Sequence, residues 1–136
     1  MAKVSIACIA YKRGKILIAH RNPTGQMGSR WEFPGGKVEN GEDEKLSIVR
    51  EMEEEFGMKV KVIEKITENT FEHEGKHFEL HVYRISVPRM GLIRKYKLTE
   101  HTEYKWVNIN QIPQDNFVDS DLKVYPDVKK YIENLK

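Results

Sequence analysis

Residues 36–58 read GKVENGEDEKLSIVREMEEEFGM. Glu51, Glu54 and Glu55 stand three and four positions apart, behind a glycine-bearing loop. On a helix such like charges are neighbours and repel by roughly 0.2–0.5 kcal/mol per pair. The arrangement makes sense beside a cation, and a carboxylate set points to a divalent ion and so to phosphate chemistry. The helix is predicted from Asp43 or Glu44 to Phe56, with Gly57 as its C-terminal cap. Leu46, Val49, Met52 and Phe56 give it an apolar stripe, with the acids on a different face.

On the N-terminal side, the β-branched runs Val4 to Tyr11 and Lys15 to His20 flank Lys12, Arg13 and Gly14, a hairpin signal. Residues 22–30 carry Asn, Pro, Gly and Ser and read as a mobile loop. On the C-terminal side, Met58 to Thr70 and His77 to Val87 are strand-like about a turn at Glu74, Gly75 and Lys76. Tyr104 to Asn108 is a further short strand. Tyr125, Val128, Ile132 and Leu135 mark a last helix, with Pro126 in its first turn. One sheet flanked by helices accommodates every element.

A chain of 136 residues is expected to form one domain over 1–136. With 39% apolar and 32% charged residues and a net charge of +2, it has no concentrated basic character for duplex DNA or an anionic membrane. The run Val4 to Ala10 is far shorter than the ~20 residues that span a bilayer. A lone Cys8 in an apolar run reads as a buried thiol in a reducing compartment, so the expected location is cytoplasmic.

The spacing Gly36, Glu42, Arg50-Glu51-Met52, Glu54-Glu55, Gly57-Met58 resembles the Nudix box at every defining position. Seven single-residue requirements and two apolar ones coincide by chance in on the order of one window in ten billion. Trp31 to Lys37 before the box, and Trp106 with Ile112-Pro113 after it, are similar to the small MutT-type nucleotide pyrophosphohydrolases. The resemblance implies an α/β (α+β) fold, an α/β/α sandwich with a mixed sheet and a loop–helix–loop metal site. It implies Mg²⁺-dependent hydrolysis (Mn²⁺ as a substitute) of a nucleoside triphosphate, (d)NTP, to the monophosphate and pyrophosphate, clearing damaged, modified or surplus nucleotides. The expected partner is a small-molecule nucleotide, with no duplex DNA and no membrane, acted on by a monomer or homodimer.

By the same resemblance the metal ligands are Glu51, Glu54, Glu55, the carbonyl of Gly35, and Glu100 outside the box. Glu51, with Glu54, is the catalytic pair, Glu51 being first choice for the residue that deprotonates water and Glu100 the second candidate base. Gly36, Glu42, Arg50 and Gly57 are structural, Arg50 anchoring carboxylates such as Glu42. Glu53 fills no defining position. Arg21 and Lys37 are assigned to the phosphates. Phe33 lines the base pocket or packs the sheet, and Lys76 with Phe78 or Leu80 are further pocket candidates. The histidines lack a tight ligand spacing and read as ordinary strand or loop residues.

Asp121 stands where the 8-oxoguanine-specific MutT pattern has asparagine. Ionised, it only accepts hydrogen bonds and suits the amine of cytosine or adenine; protonated, it also suits guanine. Alternatively it caps the last helix. Candidate substrates are therefore 8-oxo-dGTP and cytosine nucleotides. The rival readings are a dinucleoside polyphosphate, nucleotide sugar or capped RNA end as substrate, or a nucleotide-sensing module without turnover.

Overall fold

The computed structural model describes residues 3–23, 28–87 and 101–135. Strand β1 (Lys3–Lys12) turns through Arg13 and Gly14, both at positive φ, into β2 (Lys15–Arg21). This is the two-residue turn whose twist matches paired strands. Short strands β3 (Trp31–Glu32) and β4 (Gly35–Lys37) precede helix α1 (Glu44–Phe56). A second hairpin follows, β5 (Lys61–His73) and β6 (Lys76–Ser86), then β7 (His101–Asn108), two 3₁₀ turns and helix α2 (Asp119–Glu133).

The sheet runs β3-β2-β1-β6-β5, with β4 on β1 and β7 on β2. β1 and β6 are parallel, which makes the sheet mixed. β1 meets β2 only near the turn, at Tyr11↔Ile16 and Lys12↔Lys15, and β4 takes the same edge of β1 further on, at Ser5 to Ala7. The two strands therefore diverge, and the space between them becomes the head of a cleft.

Both faces of β1 are covered, which is why its sequence is continuously apolar rather than alternating. Ala7 and Ile9 join Val82, Val124 and Val128 under α2, whereas Ile6, Cys8 and Ala10 join Ile48, Met52 and Phe56 under α1. The sandwich of helix, sheet and helix is as expected. Among the described residues no helix is long and apolar enough to cross a membrane.

Three details differ from the sequence reading. Leu46 is 64% exposed; the packed face of α1 is Ile48, Met52 and Phe56, with Ser47 and Glu55 also buried. Asp43 sets this phase by accepting the Lys45 and Leu46 amides, which turns Leu46 outward. Ile48→Ala is accordingly expected to cost about 2–5 kcal/mol in a urea melt, and Leu46→Ala less than about 0.5 kcal/mol.

β5 begins at Lys61 rather than Met58, because the Met58 amide is spent on Met52 O at 3.2 Å beyond the left-handed cap at Gly57. α2 begins at Asp119, so Pro126 lies inside it rather than in its first turn. The early start is tertiary: Val118 donates to Trp31 O at 2.9 Å and receives Leu122 N at 3.0 Å. Pro126 has no N–H to offer the Leu122 carbonyl, a loss that the buried face of the helix outweighs.

Candidate active site

A cleft of about 750 Å³ lies where β1, β2, β3, β4, α1 and α2 meet. That volume falls in the usual range for small-molecule sites. Its walls include Gly35, Gly36, Lys37 and Glu51 together with Arg21, Glu32, Phe33 and Asp121.

The glycine wall of the cleft is built on close approach. An ideal Cβ on Gly36 would stand 2.5 Å from Glu51 Cδ and 2.7 Å from both carboxylate oxygens. One on Gly35 would stand 1.9 Å from Ile6 O. Glycine at both places lets β4 pair with β1 while the Glu51 carboxylate rests against the strand. Glu55 is buried at 6% exposure, while the Glu54 side chain is 61% exposed.

Arg50 is the hub. Its guanidinium grips Glu42 in a two-pronged contact at 2.9 and 3.0 Å and reaches Glu51 at 3.0 Å, Glu54 at 3.3 Å and Glu39 at 3.7 Å. Four carboxylates around one guanidinium leave a surplus of negative charge made of hard oxygen donors. That donor set fits Mg²⁺ or Mn²⁺ and disfavours soft ions. Glu42 also accepts from Ser47 Oγ and the Glu39 amide.

The hydrogen bonds from Arg50 and Ser47 hold the Glu42 carboxyl down at about 2. A lowered native value stabilises the fold above pH ~4.5 and is lost as pH falls through about 2. Urea midpoints of wild type and Glu42→Gln are thus expected to differ at pH ~5 and converge near pH ~2.

Asp121, also on the cleft wall, is 5% exposed and accepts the Phe33 amide at 2.9 Å. It therefore does not cap α2, whose first turn follows Val118 without a side-chain cap. Burial, and then the nearby Glu32 charge, push the Asp121 carboxyl well above the ordinary range. Glu32 is itself paired with Arg21 at 3.2 Å. Phe33 is 2% exposed and meets Phe117 edge-on at 5.2 Å, so it packs the core and also borders the cleft.

Lys76 sits exposed at the β5–β6 turn, away from the cleft walls. Phe78 stacks on Phe71 at 5.2 Å, and Phe71 and Leu80 are the residues that line the cleft. Glu100 lies outside the described residues, as do 24–27 of the loop expected over 22–30. Sequence reasoning missed Glu32 and Phe71. Glu32 carries no signal in a two-residue strand, whereas Phe71 becomes visible only through the β5–β6 register that sets it opposite Phe78. His73, His77, His81 and His101 read as ordinary strand or loop residues; His81 is on strand β6, buried among carboxylates, a setting the spacing does not show.

A family model described as NUDIX domain matches residues 1–128. Among curated proteins, the CTP pyrophosphohydrolase of Escherichia coli is 36% identical over 80 residues, 59% of this chain and 59% of that protein. The match thus spans under two thirds of that relative. The 8-oxo-dGTP diphosphatase of Proteus vulgaris is 29% identical over 92 residues, 68% of this chain and 82% of its own. Among solved structures, the E. coli ORF135 protein superposes with a TM-score of 0.80 at 26% identity, covering 99% of this chain and 95% of that one. A MutT NUDIX hydrolase from Burkholderia pseudomallei, at 22% identity, shares the fold with a TM-score of 0.80 over 94% of this chain and 98% of that one. With the box intact on α1 and the family pattern running through nearly the whole sequence, this chain belongs to the Nudix hydrolase family.

Proposed function

We propose that this protein, as one domain over 1–136, hydrolyses a nucleoside triphosphate to the monophosphate and pyrophosphate with Mg²⁺, or Mn²⁺ in its place. The observation that carries the reading is the shared cleft, whose walls bring the box glycines and Glu51 together with the buried Asp121. A nucleotide needs both a polyphosphate end and a base end. The names of the relatives, CTP pyrophosphohydrolase and 8-oxo-dGTP diphosphatase, agree with substrates of that kind.

Glu51, Glu54, Glu55 and the Gly35 carbonyl hold the metal in this reading, with Glu100 as a further ligand. When bound, the ion neutralises charge on the phosphoryl oxygens and acidifies a bound water. Glu51 takes the proton of the attacking water on a carboxylate oxygen. Lys37 and Arg21 meet the polyphosphate, Arg21 from a place fixed by its Glu32 pair. Phe33, Phe71 and Leu80 flank the base, and Asp121 reads its edge.

The test is a turnover screen with Mg²⁺ across ordinary, oxidised and methylated (d)NTPs, dinucleoside polyphosphates and nucleotide sugars, with products separated chromatographically. Monophosphate with pyrophosphate is the expected pair. Orthophosphate release, or turnover confined to the other substrate classes, would overturn the assignment.

A further inference from the structure

The first turn of α1 is fastened to the sheet by a group of side chains that does not line the cleft. His81 on β6 is 7% exposed. Its Nδ1 lies 2.7 Å from Glu44 Oε1 and its Nε2 2.9 Å from Glu79 Oε1. Glu68 on β5 approaches Nε2 at 3.8 Å, and Lys65 holds Glu68 at 2.5 Å. The Tyr83 hydroxyl donates to the same Glu44 oxygen at 2.7 Å. Ionised carboxylates only accept, so with both ionised a hydrogen bond at each ring nitrogen calls for an N–H on each, the arrangement of an imidazolium.

We propose that His81 is a positioning residue: clasped between Glu44 and Glu79, it locks the first turn of α1 onto β6 and thereby sets where Glu51 stands against Gly36. The inference rests on the reading that Glu51 and its neighbours hold the metal. Glu44 is the first residue of α1, and its other end is pinned by Met52 and Phe56, at 0% and 1% exposure. Glu51 stands about two turns further along the same helix, so a change at its first turn reaches the carboxylate only in part, through the packing of Ile48 and Met52. The expected loss is partial, not total.

The clasp is sensitive to pH. The groups facing the ring are Glu44 with Asp43 behind it on α1, Glu68 and Lys65 on β5, and Glu79 and Tyr83 on β6. Burial favours the neutral ring, but the hydrogen bonds to Glu44 and Glu79 outweigh it and lift His81 above its ordinary value. A raised histidine gives its full stabilisation below pH ~6.5, and loses it as pH rises through the native value. Glu68, Glu79 and His81 also offer three ligand atoms within 4.8 Å of one another, which makes a cation site the rival account. Lys65, at 2.5 Å from Glu68, already supplies that carboxylate with a cation.

The test compares wild type, His81→Gln and Glu44→Gln between about pH 6 and 9. For His81→Gln we expect kcat roughly 10-fold lower and Mg²⁺ binding roughly 3–10-fold weaker, with the nucleotide KM within about two-fold. The alkaline fall attributable to the ring should vanish in His81→Gln and move to lower pH in Glu44→Gln. In wild type at pH 7, imidazole nitrogen NMR should show both ring nitrogens protonated, a reading that needs neither turnover nor metal. A neutral ring at pH 7, or His81→Gln with wild-type Mg²⁺ affinity, kcat and pH profile, would overturn the proposal. So would Zn²⁺ displacing the Nε2 proton at equimolar concentration in a Glu51→Gln background. An inactive wild type with a doubly protonated ring would instead count against the hydrolase reading and leave the clasp standing.

Discussion

Glu51→Gln is expected to lower kcat by about 10²- to 10⁴-fold, the usual worth of a positioned general base. Glutamine keeps the size of the side chain and still offers an oxygen to Arg50, now 3.0 Å away, so the fold should persist by circular dichroism. The carboxylate rests against Gly36 on the cleft wall, where the proposed reaction would hold the attacking water. Glu54 differs, its side chain being 61% exposed. In the proposed reading Glu54→Gln should weaken Mg²⁺ by about 10- to 100-fold, and raised Mg²⁺ should restore more of its rate than of the Glu51→Gln rate, whose loss includes the general base. A Glu51→Gln enzyme with more than about a tenth of wild-type kcat would remove Glu51 from the role of base.

Asp121→Asn should change which base is accepted, and how that choice depends on pH. The Asp121 carboxyl is buried beside Glu32 and titrates well above the ordinary range. Protonated, it can donate to an acceptor such as guanine O6; ionised, it can only accept, as an exocyclic amine requires. Turnover of guanine nucleotides should therefore fall as pH rises through the Asp121 titration, while that of cytosine nucleotides holds or rises. Asparagine always has a donor, keeps the Phe33 contact through its carbonyl oxygen, and should flatten both profiles. One such hydrogen bond is worth ~1–3 kcal/mol of discrimination, or about 5- to 150-fold in kcat/KM. Parallel pH profiles for the two bases in wild type would remove Asp121 from base reading.

The asparagine variant also isolates a point that sequence spacing left open. Asp121 was equally readable as a helix cap, because the last helix was expected near Tyr125. In the fold it shares the buried face of α2 with Val124, Tyr125, Val128 and Ile132. The helical period extends back to it, but a polar residue on an apolar stripe is invisible to a search for apolar positions. The same blindness affected α1, where the mean spacing of Leu46, Val49, Met52 and Phe56 fitted a stripe while the cap at Asp43 rotated Leu46 outward.

What the sequence alone determined was the local and periodic part: the box helix and its cap and the two hairpins, which follow from spacing and turn residues within a dozen positions of one another. The mixed sheet between helices and the pairing of Arg50 with Glu42 were implied by the Nudix resemblance. Only the tertiary structure decided that Glu32 and Arg21 pair beside Asp121, that Phe71 stands in the cleft with Phe78 behind it, and that His81 grips Glu44. Those contacts join residues up to 88 positions apart through strand register and desolvation, quantities that depend on the packed molecule and on no short stretch of chain.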